Sequence, residues 1–263
     1  MKIAPLVLLF ALNIFAASPW ELLTQGAGDD DSSKRAQAIV ALGTIRTLQA
    51  DRLVLAALND KSSTVRLAAV GTLGEQKVRA AIPKLRVALD DEAAEVSFLA
   101  AKALWEMGDR SGGELLAAVL AGDRKTTPGF VKKQVRGAKA TLHSPKKLIW
   151  VGAKQGGSFL FGPLGFGIGM AEGITGDSSA PARALSATLL AQSRDPGSRA
   201  ELEEALDDKS SLVRVAVAKS LGGFSDRALI PKLTPLLDDK NDAVRYMAAA
   251  AIVRIERGRS RVR

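Results

Sequence analysis

Residues 207–237 read DDKSSLVRVAVAKSLGGFSDRALIPKLTPLL, and the chain repeats this stretch elsewhere. Residues 59–89 read NDKSSTVRLAAVGTLGEQKVRAAIPKLRVAL, and a third copy opens at residue 238 as DDKNDAVRYMAAAAIVRI. The copies share one register, since Leu42 and Leu73 are separated by 31 residues and the later leucines keep that spacing. A repeat of this length is typical of solenoids, in which each unit packs on its neighbours.

Each unit has the apolar spacing of two short helices. Val213, Ala216, Val217 and Leu221 follow the spacing i, i+3, i+4, i+8, as the buried face of a helix requires. A break follows at Gly222, and a second apolar group begins at Leu229. Because one helix pair cannot bury its apolar face alone, we predict an all-α fold, an α-solenoid of helix–turn–helix units with a period of 31 residues.

The unit resembles the HEAT-like repeats of the phycobilisome-lyase type, which open on D-x-x-x-x-V-R and close their first helix on L-G. Residues 60–66, 208–214 and 239–245 carry this opening most clearly. The resemblance covers residues 29–120 and 176–257. It implies the α-solenoid fold and leaves function open, because chromophore lyases, scaffolds and DNA-repair proteins share such repeats.

The repeated Asp and Arg of the opening favour a structural role. An Asp before a helix can cap it, and an Arg in the first turns can pair with a carboxylate of the adjacent repeat. We therefore predict a structural ladder between repeats. Its residues are Asp60, Arg66, Asp208, Arg214, Asp239 and Arg245.

The N-terminal stretch MKIAPLVLLFALNIFAAS has the pattern of a secretory signal peptide: Lys2, an apolar run and small residues at the end. The apolar run is shorter than the roughly 20 residues of a membrane span. An uncleaved anchor is the alternative. We therefore predict an exported protein, periplasmic or secreted.

The predicted organisation has five parts. They are a signal peptide at 1–18, HEAT-like repeats at 19–120, a degenerate repeat with a basic and glycine-rich insertion at 121–175, further repeats at 176–257, and a basic tail at 258–263.

Charge is distributed unevenly along the chain. Residues 121–154 hold nine basic residues and one acidic residue, a net charge of +8, and residues 254–263 contribute +4. Since the whole chain carries +9, the remainder is slightly acidic at −3. A basic stripe along the repeats is therefore absent from the sequence, which disfavours nucleic acid as a partner, as does the predicted export.

The glycine-rich stretch after the basic segment is the predicted contact region. Three alternatives remain open: it folds over the solenoid, it binds a protein partner, or it contacts a membrane surface through lysines, a boundary Trp and inserted Phe rings. The candidate contact residues are Lys146, Lys147, Trp150, Phe159, Phe161 and Phe166.

Catalytic and metal-binding patterns are not evident in the sequence. The chain has no Cys and a single His, His143, so Cys-based sites and two-His metal sites are excluded. The Asp-Asp pairs recur with the repeat in turns, where helix capping explains them better than acid–base chemistry. We predict a protein without enzymatic activity, metal ion or other cofactor, and no small-molecule substrate is indicated.

These observations favour an exported scaffold or adaptor that binds a protein partner through its repeat surface or its insertion. One alternative is a peripheral envelope protein anchored by residues 148–173. The other, implied by the resemblance, is a chromophore lyase or isomerase.

Overall fold

A computed structural model describes residues 17–121, 177, 179–193 and 196–258 of the chain. The regular structure of these residues is helical throughout, which confirms the predicted all-α solenoid. The α-helices are α1 (Pro19–Ala27), α2 (Ser32–Gly43), α3 (Leu48–Ala56), α4 (Ser63–Glu75), α5 (Ile82–Val87), α6 (Ala94–Glu106), α7 (Gly113–Ala121), α8 (Ala180–Ser193), α9 (Pro196–Glu204), α10 (Ser211–Leu221), α11 (Ile230–Leu233) and α12 (Asp242–Arg257).

The helices form two rows. The first helix of each unit lies in a row that we call the A helices, and it packs against the A helix of the next repeat. The shorter second helices, the B helices, lie along that row and are extended by 3₁₀ turns such as Arg79–Ala81. The A helices are α2, α4, α6, α8, α10 and α12; the B helices are α1, α3, α5, α7, α9 and α11.

One repeat is assembled from the two ends of the chain. Helix α1 packs against both α12 and α2, the position that α3 takes between α2 and α4. Its Leu23 is fully buried, and Gly26 lies so close to Tyr246 of α12 that an added Cβ would be 2.5 Å from the ring. Within the described residues the row therefore runs α8/α9, α10/α11, α12/α1, α2/α3, α4/α5, α6/α7, with the two sequence blocks joined into one stack.

Small residues set the distance between neighbouring A helices. A Cβ added at Gly74 would lie 2.7 Å from the Ala103 Cβ, and one added at Gly222 would lie 2.9 Å from the Ala251 Cβ. Because these contacts are already close, small residues are favoured at such a junction, and Thr72 takes the place of Ala103 opposite Gly43.

The two ends of the described row differ from the junctions inside it, because larger side chains occupy the junction positions there. Trp105 stands 31 residues after Gly74, in the terminal A helix α6, and is 45% exposed. At the other end, Leu189 of α8 takes the place held by Ser220 in the next repeat and is 54% exposed. A large, partly exposed side chain therefore holds the junction position at each end of the described row.

A left-handed residue terminates several A helices and turns the chain toward the B helix. Arg46, Lys77 and Ser225 have φ angles of 55°, 51° and 56°, and Gly108 at the equivalent place has 85°. The amide that follows Lys77, that of Val78, donates back to the Leu73 carbonyl at 3.1 Å. This is the hydrogen-bonding pattern of a Schellman helix end, which requires a positive φ.

Candidate functional site

The predicted ladder residues lie at the N-terminal ends of the A helices. Arg66 donates from Nε and Nη2 to the two carboxylate oxygens of Asp91 in the next repeat, at 2.7 and 2.8 Å. Its Nη1 donates to the Asp60 carbonyl at 2.9 Å, across its own turn. Asp60 in turn accepts two hydrogen bonds from Arg35 of the preceding repeat.

The same arrangement recurs in the second block. Arg214 donates to Asp239 at 2.7 and 2.9 Å, and Arg183 pairs with Asp208 in the same bidentate way. Burial, the largest single influence, raises the pKa of Asp239, but the hydrogen bonds from Arg214 and from the Asn241 amide, together with the nearby positive charges, outweigh it, and the pKa lies below its usual value. These residues hold neighbouring repeats together through charge-assisted bonds.

Arg245 is placed differently from the other predicted ladder residues. It belongs to α12, whose neighbour in the row is the first repeat, so the carboxylate equivalent to Asp239 is that of Asp29. Arg245 instead forms an ion pair with Asp242 of its own helix, and its Nε is buried without a hydrogen-bond partner. The ladder ion pair that would join α12 to the first repeat, between Arg245 and Asp29, is therefore not formed in this structure.

A second group of charged side chains lies at the opposite, C-terminal ends of the A helices. Sequence reasoning did not select it. We call it the inner charged cluster, and its members come from five successive repeats in the row: Lys219, Arg254, Arg46, Glu75 and Lys102.

Charged side chains at these ends act on one another even when their helices are not neighbours in the row. Two A helices, α12 and α2, lie between α10 and α4, so a flat row would hold those two axes roughly 25–30 Å apart. Nevertheless Lys219 of α10 and Glu75 at the end of α4 act electrostatically on each other. Since solenoids commonly bind partners on a concave surface, the side formed by the C-terminal ends of the A helices is the candidate binding surface.

The surroundings of the cluster disfavour the charged forms of Glu75 and Lys219. Burial raises the pKa of the Glu75 carboxyl, although Lys219 and Lys102 oppose the shift. Burial lowers the pKa of the Lys219 ammonium; Glu75 counteracts this, while Arg254 and Arg46 add to it. Glu75 is nevertheless exposed to solvent and Lys219 is half-buried, so solvent screens the interactions of both charges. That combination is expected on the wall of a concavity, and shifted ionisable groups are common at functional sites.

A structural role for these cations must be weighed against binding. Cations near the last turn of a helix interact favourably with its carbonyl end. Arg254 reaches the end of α10, where a Cβ added to Gly223 would lie 4.0 Å from its Nη2. Lys102 forms an ion pair with Glu106 in its own helix at 2.7 Å. Helix-end stabilisation accounts for the single cations, and Lys219 is in addition within electrostatic reach of Arg254 and Arg46.

The cluster had one signal in the sequence. Lys219 and Lys102 each stand among mostly apolar residues of an A helix, in the stretches RVAVAKSLGG and FLAAKALW. Reading the helix faces alone does not show that both act on one carboxylate, that of Glu75.

The predicted partner or membrane contacts, Lys146 to Phe166, lie outside the described residues, as does His143. In the described part of the chain no helix is long and apolar enough to cross a membrane. No group of His, Asp or Glu residues there could hold a metal ion. A surface cleft of about 470 Å³ on the B helices is lined by Glu203 and Lys232, which pair with each other.

Fifteen chains of solved structures are similar to this chain, among them the three that follow. Human deoxyhypusine hydroxylase is 19% identical, with a TM-score of 0.37 and coverage of 90% of this chain and 96% of that one. The CpcE–CpcF complex of phycocyanin lyase from Nostoc sp. PCC7120 is 17% identical, with a TM-score of 0.35 and coverage of 95% and 100%. A designed armadillo repeat protein is 16% identical, with a TM-score of 0.25 and coverage of 90% and 99%.

These similarities correct one prediction. We expected a protein without enzymatic activity, and that exclusion is wrong, because the similar structures include a hydroxylase and subunits of a lyase. At these identities and TM-scores the likeness concerns the fold and does not assign a reaction to this chain.

The sequence comparisons agree with the repeat architecture. No curated protein sequence matches this chain significantly. The family model for HEAT repeats matches residues 20–104, 50–127 and 169–254, which together span most of the chain and both blocks of the helix row. Repeats of this family mediate protein–protein interaction. The predicted HEAT-like identity is thereby confirmed, and the chain belongs to the HEAT-repeat family.

Proposed function

We propose that this chain is an exported protein-interaction scaffold that binds its partner in the concavity formed by the C-terminal ends of the A helices. The observation that carries this proposal is the inner charged cluster. It joins side chains from five repeats, and the fold disfavours the charged forms of Glu75 and Lys219. Solenoid curvature creates extended concave surfaces of this kind for binding.

Export is supported by the signal pattern of residues 1–18. A fusion of residues 1–28 to alkaline phosphatase tests it, since that enzyme needs disulfides that form outside the reducing cytoplasm. We expect phosphatase activity from the fusion and none from the same fusion lacking residues 2–15. Equal activity of the two fusions would refute export.

Position-specific photo-crosslinking tests the concave surface. A photoreactive amino acid replaces exposed Glu106, which follows Lys102 by one turn of α6. The control places it at Val87, which ends a B helix and is 72% exposed. In the native host we expect a discrete protein adduct from position 106 and none from position 87. Adducts from both positions, or from position 87 alone, would refute binding in the concavity.

A further inference from the structure

We propose that residues 158–171 of the chain pack on the outward face of α8, the side of that helix that is turned away from α10. The inference goes beyond the proposed function, because it concerns one end of the helix row and does not depend on what the C-terminal ends of the A helices bind. The outward face consists of Ala182, Leu185, Ser186 and Leu189, which follow one another at the spacing of a single helix face.

The equivalent face of the next repeat shows how such a face is used. In α10 the Ser220 hydroxyl donates to the Ala187 carbonyl of α8 at 3.3 Å, so this side of an A helix packs on the preceding repeat. Three more residues on that side of α10 are buried, with at most 1% of their surface exposed: Val213, Ala216 and Val217. Because the outward face of α8 lies 31 residues earlier in the same register, it is a stacking face that no described helix covers.

The outward face is uncharged and partly exposed. Leu185 and Leu189 are 40% and 54% exposed. The one charged residue of α8, Arg183, belongs to the ladder and is bound to Asp208 and Asp177. Solenoids need a polar outer face on their terminal repeats to remain soluble. Since the outward face lacks charged residues, its composition is that of an internal junction.

The opposite end of the described row has the charged residues that the α8 end lacks. There Trp105 of α6 stands between Lys102 and Glu106, and these two side chains form an ion pair at 2.7 Å. The guanidinium of Arg110 stacks on the Trp105 ring, 3.9 Å from its centroid. Charged groups therefore accompany the large apolar side chain at this end, as a polar cap requires. Of the two ends, the α8 end is the one that needs a cover.

Residues 158–171 are a matching apolar segment and lie next to α8 in the sequence. They read SFLFGPLGFGIGMA, with three Phe and no charged residue, and exposing such a stretch to water would favour aggregation. Residues 172–179 separate the segment from α8, and they can extend to about 26 Å. Since α8 has 14 residues and is therefore about 21 Å long, the segment can reach every part of the outward face.

A second copy of the chain is the competing occupant of the outward face. A segment tethered by so short a linker acts at an effective concentration in the millimolar range, far above that of a second copy in solution. Packing also buries the apolar surface of the segment, and no ion has to be desolvated because both surfaces are uncharged. The predicted contact residues Phe159, Phe161 and Phe166 then contact the solenoid rather than a partner or a membrane.

Photo-crosslinking from the outward face tests the inference on the purified full chain. Ser186→Cys introduces a single thiol, since the chain has no Cys, and a benzophenone maleimide is attached to it. Leu48→Cys is the matched control, because Leu48 begins α3 and is 80% exposed. Chains labelled with ¹⁴N and ¹⁵N are mixed in equal amounts before illumination. Mass spectrometry of the digest then distinguishes adducts within one chain from adducts between two chains.

From position 186 we expect adducts with residues 158–171 of the same chain, and from position 48 none with those residues. Adducts that join ¹⁴N and ¹⁵N chains would assign the outward face to a second copy. Adducts confined to residues 172–179, or an absence of adducts, would show that the segment lies elsewhere.

A second measurement leaves the outward face free of any label. Leu189→Glu should lower the melting temperature by about 3–12 °C, because a leucine buried against the segment contributes to stability. It should also speed chymotrypsin cleavage at the Phe residues of the segment severalfold. Leu48→Glu should change neither quantity, since substitutions at exposed positions have small effects. Equal responses of the two variants would overturn the inference.

Discussion

Replacing Arg214 by Ala tests whether the ladder holds the repeats together. The guanidinium makes two hydrogen bonds to Asp239 and two to the carbonyls of Asp208 and Lys209, and the Arg214 and Asp239 side chains are each only 8% exposed. Removing one partner of a buried ion pair leaves the other charge uncompensated and costs about 3–5 kcal/mol. For a chain of this size we expect the melting temperature to fall by about 6–20 °C.

Arg245→Ala is the matched control, because the same residue type stands at the same repeat position one unit later. Arg245 pairs with Asp242 inside its own helix and is 33% exposed, so its loss should cost about 0–1 kcal/mol. Thermal and urea unfolding followed by circular dichroism measure both variants. The double variant Arg214→Ala/Asp239→Ala completes a cycle and should lose less stability than the two single changes summed.

The reasoning fails if Arg214→Ala and Arg245→Ala lower stability equally. It also fails if the double variant loses the full sum, since the Arg and the Asp would then act independently rather than as a pair across the repeat boundary.

Three other perturbations have defined outcomes. The pKa of Asp239 is lowered in the folded chain, so its contribution to the stability of the fold is complete above its unfolded pKa of about 3.9 and is lost as the pH falls through its folded pKa. Melting temperatures measured from pH 7 to pH 3 should therefore drop less steeply in Arg214→Ala than in the wild type. Lys77→Gly should stabilise the chain and Gly108→Ala destabilise it, each by about 1 kcal/mol, because both residues have positive φ and a Cβ at Gly108 would meet no atom within 4 Å; urea midpoints that shift in the same direction would contradict this. Lys219→Met should raise the melting temperature at neutral pH, because burial disfavours the ammonium and the methionine removes that cost; a lower melting temperature would show that Lys219 stabilises the fold.

The sequence predicted the repeating unit well because local spacing encodes it. The apolar positions of α4 and α10 follow a helical period, and the breaks after them fall where the helices end. Arg66 and Arg214 could be assigned to the ladder region because they recur with the repeat, but their partners in the next repeat emerged only from the stacked structure.

The sequence contains a pattern that indicates the packing of α1 against α12, and sequence reasoning missed it. Residues 19–29 fit the register of residues 50–60, so the first described helix, α1, corresponds to the second helix of a unit. The chain also reaches residue 257 on a first helix, α12, that no described second helix follows in sequence. Helices α1 and α12 complete one helix pair only when they pack against each other, and a local sequence pattern cannot show such a long-range contact.

The two ends of the A helices use charge in opposite ways. At the N-terminal ends, Arg35, Arg183 and their partner carboxylates are shifted toward their charged forms, because each charge meets its counterpart. At the C-terminal ends, Glu75 and Lys219 are shifted toward their neutral forms, because burial outweighs the opposite charges near each of them, and Arg254 and Arg46 add to the shift of Lys219. Charges of the first kind are explained by stability alone. Charges of the second kind are disfavoured by burial, so their contribution to stability does not explain why they are placed there.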